Sequence, residues 1–158
     1  MESYTLQHIL ESTERYKLYV LFCHQTEILG HIAWLESNKI QSVNIGKEIS
    51  AFISDLNDQR YLDLEVLEYT KKILESNKKR ISNLANEVVA VYNLGILFEP
   101  LLEINVSQLF KEFSKTTAII ILWENQSNKP NHLHWKTQTN EIFLDFTETP
   151  LKKLQYAI

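Results

Sequence analysis

Three short, almost unbroken apolar runs constrain this chain more than any other feature. They are Leu18-Tyr19-Val20-Leu21-Phe22, Glu87-Val88-Val89-Ala90-Val91-Tyr92 and Thr117-Ala118-Ile119-Ile120-Ile121-Leu122-Trp123. A strand with one wet face alternates apolar and polar residues. A strand covered on both faces does not, and such strands belong to parallel sheets. The runs also fall well short of the roughly 20 apolar residues that cross a bilayer.

The intervening segments carry helical spacing. Ser3 is an expected N-cap for a first helix with Leu6, Ile9 and Leu10 on one face. Thr26 is the expected cap of a second, bearing Ile28, Ile32 and Leu35. A short strand is expected over 40–45, then a helix with Ile49, Phe52, Ile53 and Leu56. Asp63 is placed as the cap of a further helix running through Leu67, Ile73 and Leu74 to about Asn86. Asn105, with Gln108 three residues on, has the pattern of a capping box before Val106, Leu109, Phe110 and Phe113. Leu133–Lys136 and Ile142–Phe146 read as a C-terminal hairpin, and Pro150 limits any extension. Strands alternating with helices predict a three-layer α/β domain with a mostly parallel sheet, taken as one domain over 1–158.

Charge and cysteine usage narrow the function. The net charge is −4, whereas a dedicated nucleic-acid binder needs a basic excess to neutralise phosphates. The run Asn77-Lys78-Lys79-Arg80 is short and reads as a solvated helix end. Direct nucleic-acid binding is therefore not expected. One cysteine, Cys23, excludes an internal disulfide. The first residues lack a secretory pattern, so the expected compartment is the cytoplasm, with no membrane association.

Ligands of open parallel sheets sit beyond the carboxyl ends of strands. After Phe22 comes Cys23-His24-Gln25-Thr26-Glu27-Ile28-Leu29-Gly30. A phosphate loop, G-x-x-x-x-G-K-[ST], needs glycines to wrap backbone amides around phosphates and a lysine to neutralise them. Here both glycines are missing, Leu29 stands at the lysine and Gly30 at the metal-binding hydroxyl. The pair Gly46-Lys47 imitates the motif, but Gln41 and Glu48 occupy its other key positions, and it reads as a turn entering a helix. After Val91 an ATPase places a magnesium-organising acid. This chain has Tyr92-Asn93, with Glu99 the nearest acid. The third strand exits through Glu124 and Asn125, polar residues that could sense a phosphate. Cys23, His24, Gln25, Thr26, Tyr92, Asn93, Glu124 and Asn125 are thus the positions of a degenerate nucleotide site. No catalytic residue, metal or cofactor is assigned. His132 and His134 share a strand face, and Glu141 and Asp145 could approach across the hairpin, but surface histidines fit better than a metal pair. A nucleophilic Cys23 beside His24 is a weaker alternative.

The stretch Val89-Ala90-Val91-Tyr92-Asn93-Leu94-Gly95-Ile96-Leu97-Phe98-Glu99-Pro100 resembles the region around the second ATPase motif of the small P-loop protein of type 3 BREX phage-defence systems. The similarity continues through Leu109-Phe110 and Phe113-Ser114-Lys115-Thr116-Thr117 to the strand ending at Trp123. It implies a P-loop NTPase-like fold and a bacterial multi-protein setting, either anti-phage defence or DNA modification. The family's phosphate loop is absent at 23–30 and its acid is replaced at Tyr92, so its activity is not implied. The resulting expectation is a non-catalytic adaptor or regulatory subunit with protein partners and room for self-association. Two rivals are a divergent NTPase using Glu124 or Glu99, and a nucleic-acid accessory protein using Lys78, Lys79 and Arg80.

Overall fold

The computed structural model describes residues 2–124, 129–137 and 141–156. The three apolar runs form the centre of a seven-stranded sheet: β2 (Leu18–Phe22), β5 (Glu87–Tyr92) and β6 (Ala118–Trp123). Shorter strands complete it: β1 (Ser3–Tyr4), β3 (Ser42–Asn44), β4 (Lys79–Arg80) and β9 (Lys152–Leu154). The order is β1-β9-β2-β6-β5-β3, parallel throughout, and β4 pairs antiparallel with the start of β5. Leu18 lies beside Ile119 and Phe22 beside Trp123, while Val88 lies beside Ala118. A mixed α/β chain with a mostly parallel sheet is thus what the apolar runs specify.

Strand alternation divides the core into two clusters. Leu18, Val20, Val89, Val91, Ile119 and Ile121 face one side. There they meet α3 (Ile45–Asp55), α4 (Leu62–Asn77) and α5 (Val106–Phe113). Tyr19, Leu21, Val88, Ala90, Ile120 and Leu122 face the other side, under α1 (Leu6–Glu11) and α2 (Ile28–Ser37). The layering follows from the crossovers. The step from β2 to β3 runs one way along the sheet, and the steps β3–β5, β5–β6 and β6–β9 run the other. With a fixed crossover hand, opposite steps put their connections on opposite faces.

Several local expectations are corrected. Thr5, not Ser3, caps α1 by accepting from the His8 N–H, because Ser3 is drawn into β1. Thr26 caps nothing: Gln25–Glu27 form a 3-10 turn and Glu27 occupies the cap position of α2. Tyr61, not Asp63, precedes α4, and that helix stops at Asn77 rather than near Asn86. The backbone turns extended at Lys78 and enters β4, where Lys78 and Arg80 both reach Glu87 at 3.1 and 3.2 Å. The basic run is therefore a helix end at Asn77-Lys78, as expected, that continues into the exposed strand Lys79-Arg80, with Lys78 and Arg80 paired. Asn105 does cap α5, accepting from the Gln108 N–H, but the Gln108 side chain turns to Glu112 instead of closing a capping box.

The hairpin forms as expected. β7 (His132–Lys136) and β8 (Glu141–Asp145) pair antiparallel in a separate sheet. It packs on the α3–α5 side, with Leu133, Leu144 and Phe146 inside that core. β9 follows Pro150 and was not foreseen. It enters the sheet between β1 and β2.

Candidate functional site

The tips of β2, β6 and β5 lie on one edge of the sheet, with β6 in the middle. The chain leaves β2 toward the α2 face and leaves β6 toward the hairpin face. Neighbouring strands whose connections diverge in this way open a crevice, the usual ligand position in parallel sheets. A cavity of about 270 Å³ occupies it, lined by Gln25, Asn93, Gly95, Trp123, Glu124 and Trp135 among others. The sequence-derived positions Gln25, Asn93 and Glu124 are thus brought together. Asn125 lies outside the described residues.

Each tip is already used by the fold. Cys23 is buried, its backbone N–H donates to the Trp123 carbonyl at 3.0 Å, and its thiol lies 4.0 Å from the same oxygen. Burial pushes the Cys23 thiol up to about 11, and the negative charges of Glu124 and Glu27 push in the same direction. This argues against a nucleophilic Cys23, since the thiolate is the reactive form. Native protein at pH 8 should react with a thiol reagent about 100-fold more slowly than urea-unfolded protein, in proportion to its thiolate fraction. Equal rates in a stopped-flow comparison would contradict the buried placement. His24 is exposed at the start of the 3-10 turn, and Gln25 and Thr26 are exposed beyond it. One turn into α2, His31 was not singled out from sequence. Its Nδ1–H donates to the Glu27 carbonyl at 2.8 Å, closing the turn from beneath.

At the tip of β5, Tyr92 packs against the α1–α2 core. Asn93 adopts a left-handed backbone, φ 57°. Its Nδ2 donates to Asn44 Oδ1 at 2.8 Å, and its carbonyl accepts from the Gly46 N–H at 2.9 Å. Asn44 Oδ1 also caps α3 through the Lys47 N–H at 3.0 Å. The Asn44–Lys47 segment, which only imitates a phosphate loop, is therefore a helix start clamped to the neighbouring strand tip. Asn93, one residue past Tyr92 at the end of β5, performs the clamping.

The hairpin lies against the crevice. The Trp123 indole N–H donates to the His134 carbonyl at 2.9 Å. Phe98 packs edge-on to Trp123 and tilted against Trp135, with ring centroids 6.2 and 5.2 Å away. A β-carbon on Gly95 would stand 2.9 Å from Trp135, so glycine permits this approach. Trp135, Lys136, Gly95 and Asn44 were all missed in the sequence. The available signal was glycine rarity: of three glycines in the chain, Gly46 and Gly95 both mark close approaches.

The electrostatics oppose a polyphosphate. α2 begins at the crevice and directs helix N–H groups there. Yet Leu29, 76 % exposed, stands at the lysine position, and Glu27 adds a carboxylate in the preceding turn. Lys136 is the one cation lining the cavity among the described residues. The histidine pair belongs to the hairpin. His134 Nε2 lies 2.7 Å from Glu141 and His132 Nε2 lies 3.5 Å from Asp145. Phe143 stacks on His134 at 4.5 Å. Among the described residues, no three His, Cys, Asp or Glu groups converge as a metal site would need. No described helix is long and apolar enough to cross a membrane. Comparison with family models, curated proteins and solved structures finds no match to this chain.

Proposed function

We propose that this chain is a P-loop-like domain that has lost its nucleotide site and serves as a non-catalytic adaptor or regulatory subunit. Its setting is a bacterial multi-protein assembly of the anti-phage-defence or DNA-modification kind. The observation that carries the reading is the crevice between β2 and β6. The architecture that would cradle a phosphate is present, a parallel strand leading through a tight turn into a helix. The groups that would hold the phosphate are replaced by Leu29 and Glu27, and the tip of β5 is committed to Asn44 and Gly46. The position of β6 between β2 and β5 supports the P-loop likeness. The Val88–Trp123 resemblance supplies the biological setting. The ion pairs of Lys78 and Arg80 with Glu87 weigh against the nucleic-acid rival, since two of its cations are already engaged.

Equilibrium binding of radiolabelled ATP with magnesium tests the loss of the site. The expected result is no saturable binding in the micromolar range and no release of phosphate above buffer. Micromolar affinity, or steady hydrolysis removed by Glu124→Gln, would overturn the reading.

A further inference from the structure

A second cavity, of about 350 Å³, lies between the segment after β5 and the hairpin. Leu97, Phe98, Ile104, Ile142 and Phe143 give it an apolar wall, beside the polar Asn105, Ser107 and Asp145. Its rim carries the carboxylates of Glu99 and Glu103. Both are exposed, and among the described residues neither forms an ion pair. Leu101, between them in sequence, is 84 % exposed, and Phe143 on the opposite wall is 55 % exposed. The fold thus leaves uncovered an apolar groove with a negative rim.

The complementary surface is on the same chain, at the other end of β5. Leu84 is 96 % exposed, the highest value of any large apolar residue among those described. It sits in the turn between β4 and β5. Lys79, on β4 beside Val88, is exposed and forms no ion pair among the described residues, unlike its neighbours Lys78 and Arg80. The groove lies past the finish of β5 and the Leu84 turn lies before its start. The strand's six residues hold the two surfaces about 20 Å apart, so they cannot meet within one molecule.

We propose that a second copy of this chain fills the groove, with Leu84 entering between the apolar walls and Lys79 meeting the Glu99–Glu103 rim. The contact is heterologous, because two different surfaces meet. Each copy then offers one of each, and association continues beyond a dimer unless a ring closes. A single leucine and one or two ion pairs bury less than the roughly 1,000 Å² of a stable interface, so the association is weak and concentration-dependent.

Sedimentation velocity without nucleotide tests the proposal independently of the ATP experiment. The wild-type weight-average mass should rise from micromolar to submillimolar concentration and pass that of a dimer. Leu84→Asp, Lys79→Glu and Glu103→Lys should each remain monomeric, with unchanged circular dichroism because all three positions are exposed. Mixing Lys79→Glu with Glu103→Lys should restore association. In the mixture one junction pairs Lys79 with Glu103, and the next pairs the same two charges reversed. A wild type that stays monomeric throughout overturns the proposal and leaves the groove to a partner of another sequence. Association that the three substitutions do not weaken, or that the mixture fails to restore, overturns it equally.

Discussion

Gly46→Ala should destabilise the protein by about 1–3 kcal/mol, the usual cost of overpacking, although alanine normally improves a helix. Gly46 lies in the first turn of α3. In an exposed helix the same exchange stabilises by roughly 0.5–1 kcal/mol. Here the new β-carbon would collide with Asn93 Nδ2 and stand 2.8 Å from its Cγ and 3.0 Å from its carbonyl oxygen. Those atoms cannot simply swing aside. The amide is held by Asn44 and the carbonyl by the Gly46 N–H. Asn93→Gly in the same molecule should recover most of the loss. It removes two of the three obstructing atoms and suits the left-handed backbone at that position. Alone, Asn93→Gly should cost about 0.5–1.5 kcal/mol, the worth of its hydrogen bond. Urea midpoints for the four proteins give the coupling directly. A neutral or stabilising Gly46→Ala would show that the β5 tip does not clamp α3.

Phe146→Ala should cost about 3–5 kcal/mol, the range for deleting a fully buried aromatic ring. Phe146 is 2 % exposed and shares the larger core cluster with Leu133, Leu144 and Leu151. Its N–H donates to the Asn131 carbonyl at 2.7 Å, and Asn131 Oδ1 accepts from the Leu151 N–H at 3.0 Å. The hairpin, the turn after it and the approach to β9 are thus one packed unit with the central sheet. The loss should be global: protection of β2 and β6 amides from hydrogen exchange should fall with that of the hairpin. Loss of protection confined to the hairpin, at an unchanged urea midpoint, would mean that it docks as a separable flap.

What the sequence made legible follows from how many residues speak together. β5 and α5 occupy the expected spans, since six strand residues all apolar but one, or an asparagine cap before four spaced apolar residues, outweigh local noise. β1, β4 and β9 have two or three residues each, too few to show any period. β9 contains two lysines and follows a proline, so its composition argues against a strand. Its lysines are accommodated because the Lys152 ammonium lies over the Tyr19 ring, 5.3 Å from its centroid, and meets Glu14 and the Tyr16 carbonyl. The site shows the same division. Residues following the apolar strands could be placed because strand tips share an edge. Trp135 and Lys136 could not, because the docking of a distant hairpin brought them there.

The position of β9 also bears on how the protein is made. β2 is the first of the apolar strands to be synthesised, but its two sheet neighbours are β6 and β9. At ribosomal rates of about 5–20 residues per second, β9 follows β2 by on the order of ten seconds. Until β6 is made Leu18–Phe22 has no sheet neighbour, and until β9 is made one of its edges stays open, the kind of segment that aggregates or recruits a chaperone. Even Ser3 and Tyr4 must wait for Lys153 and Leu154 before their strand has a partner. The helices and strands between can gather earlier, but the sheet is complete only when β9 slides in between β1 and β2.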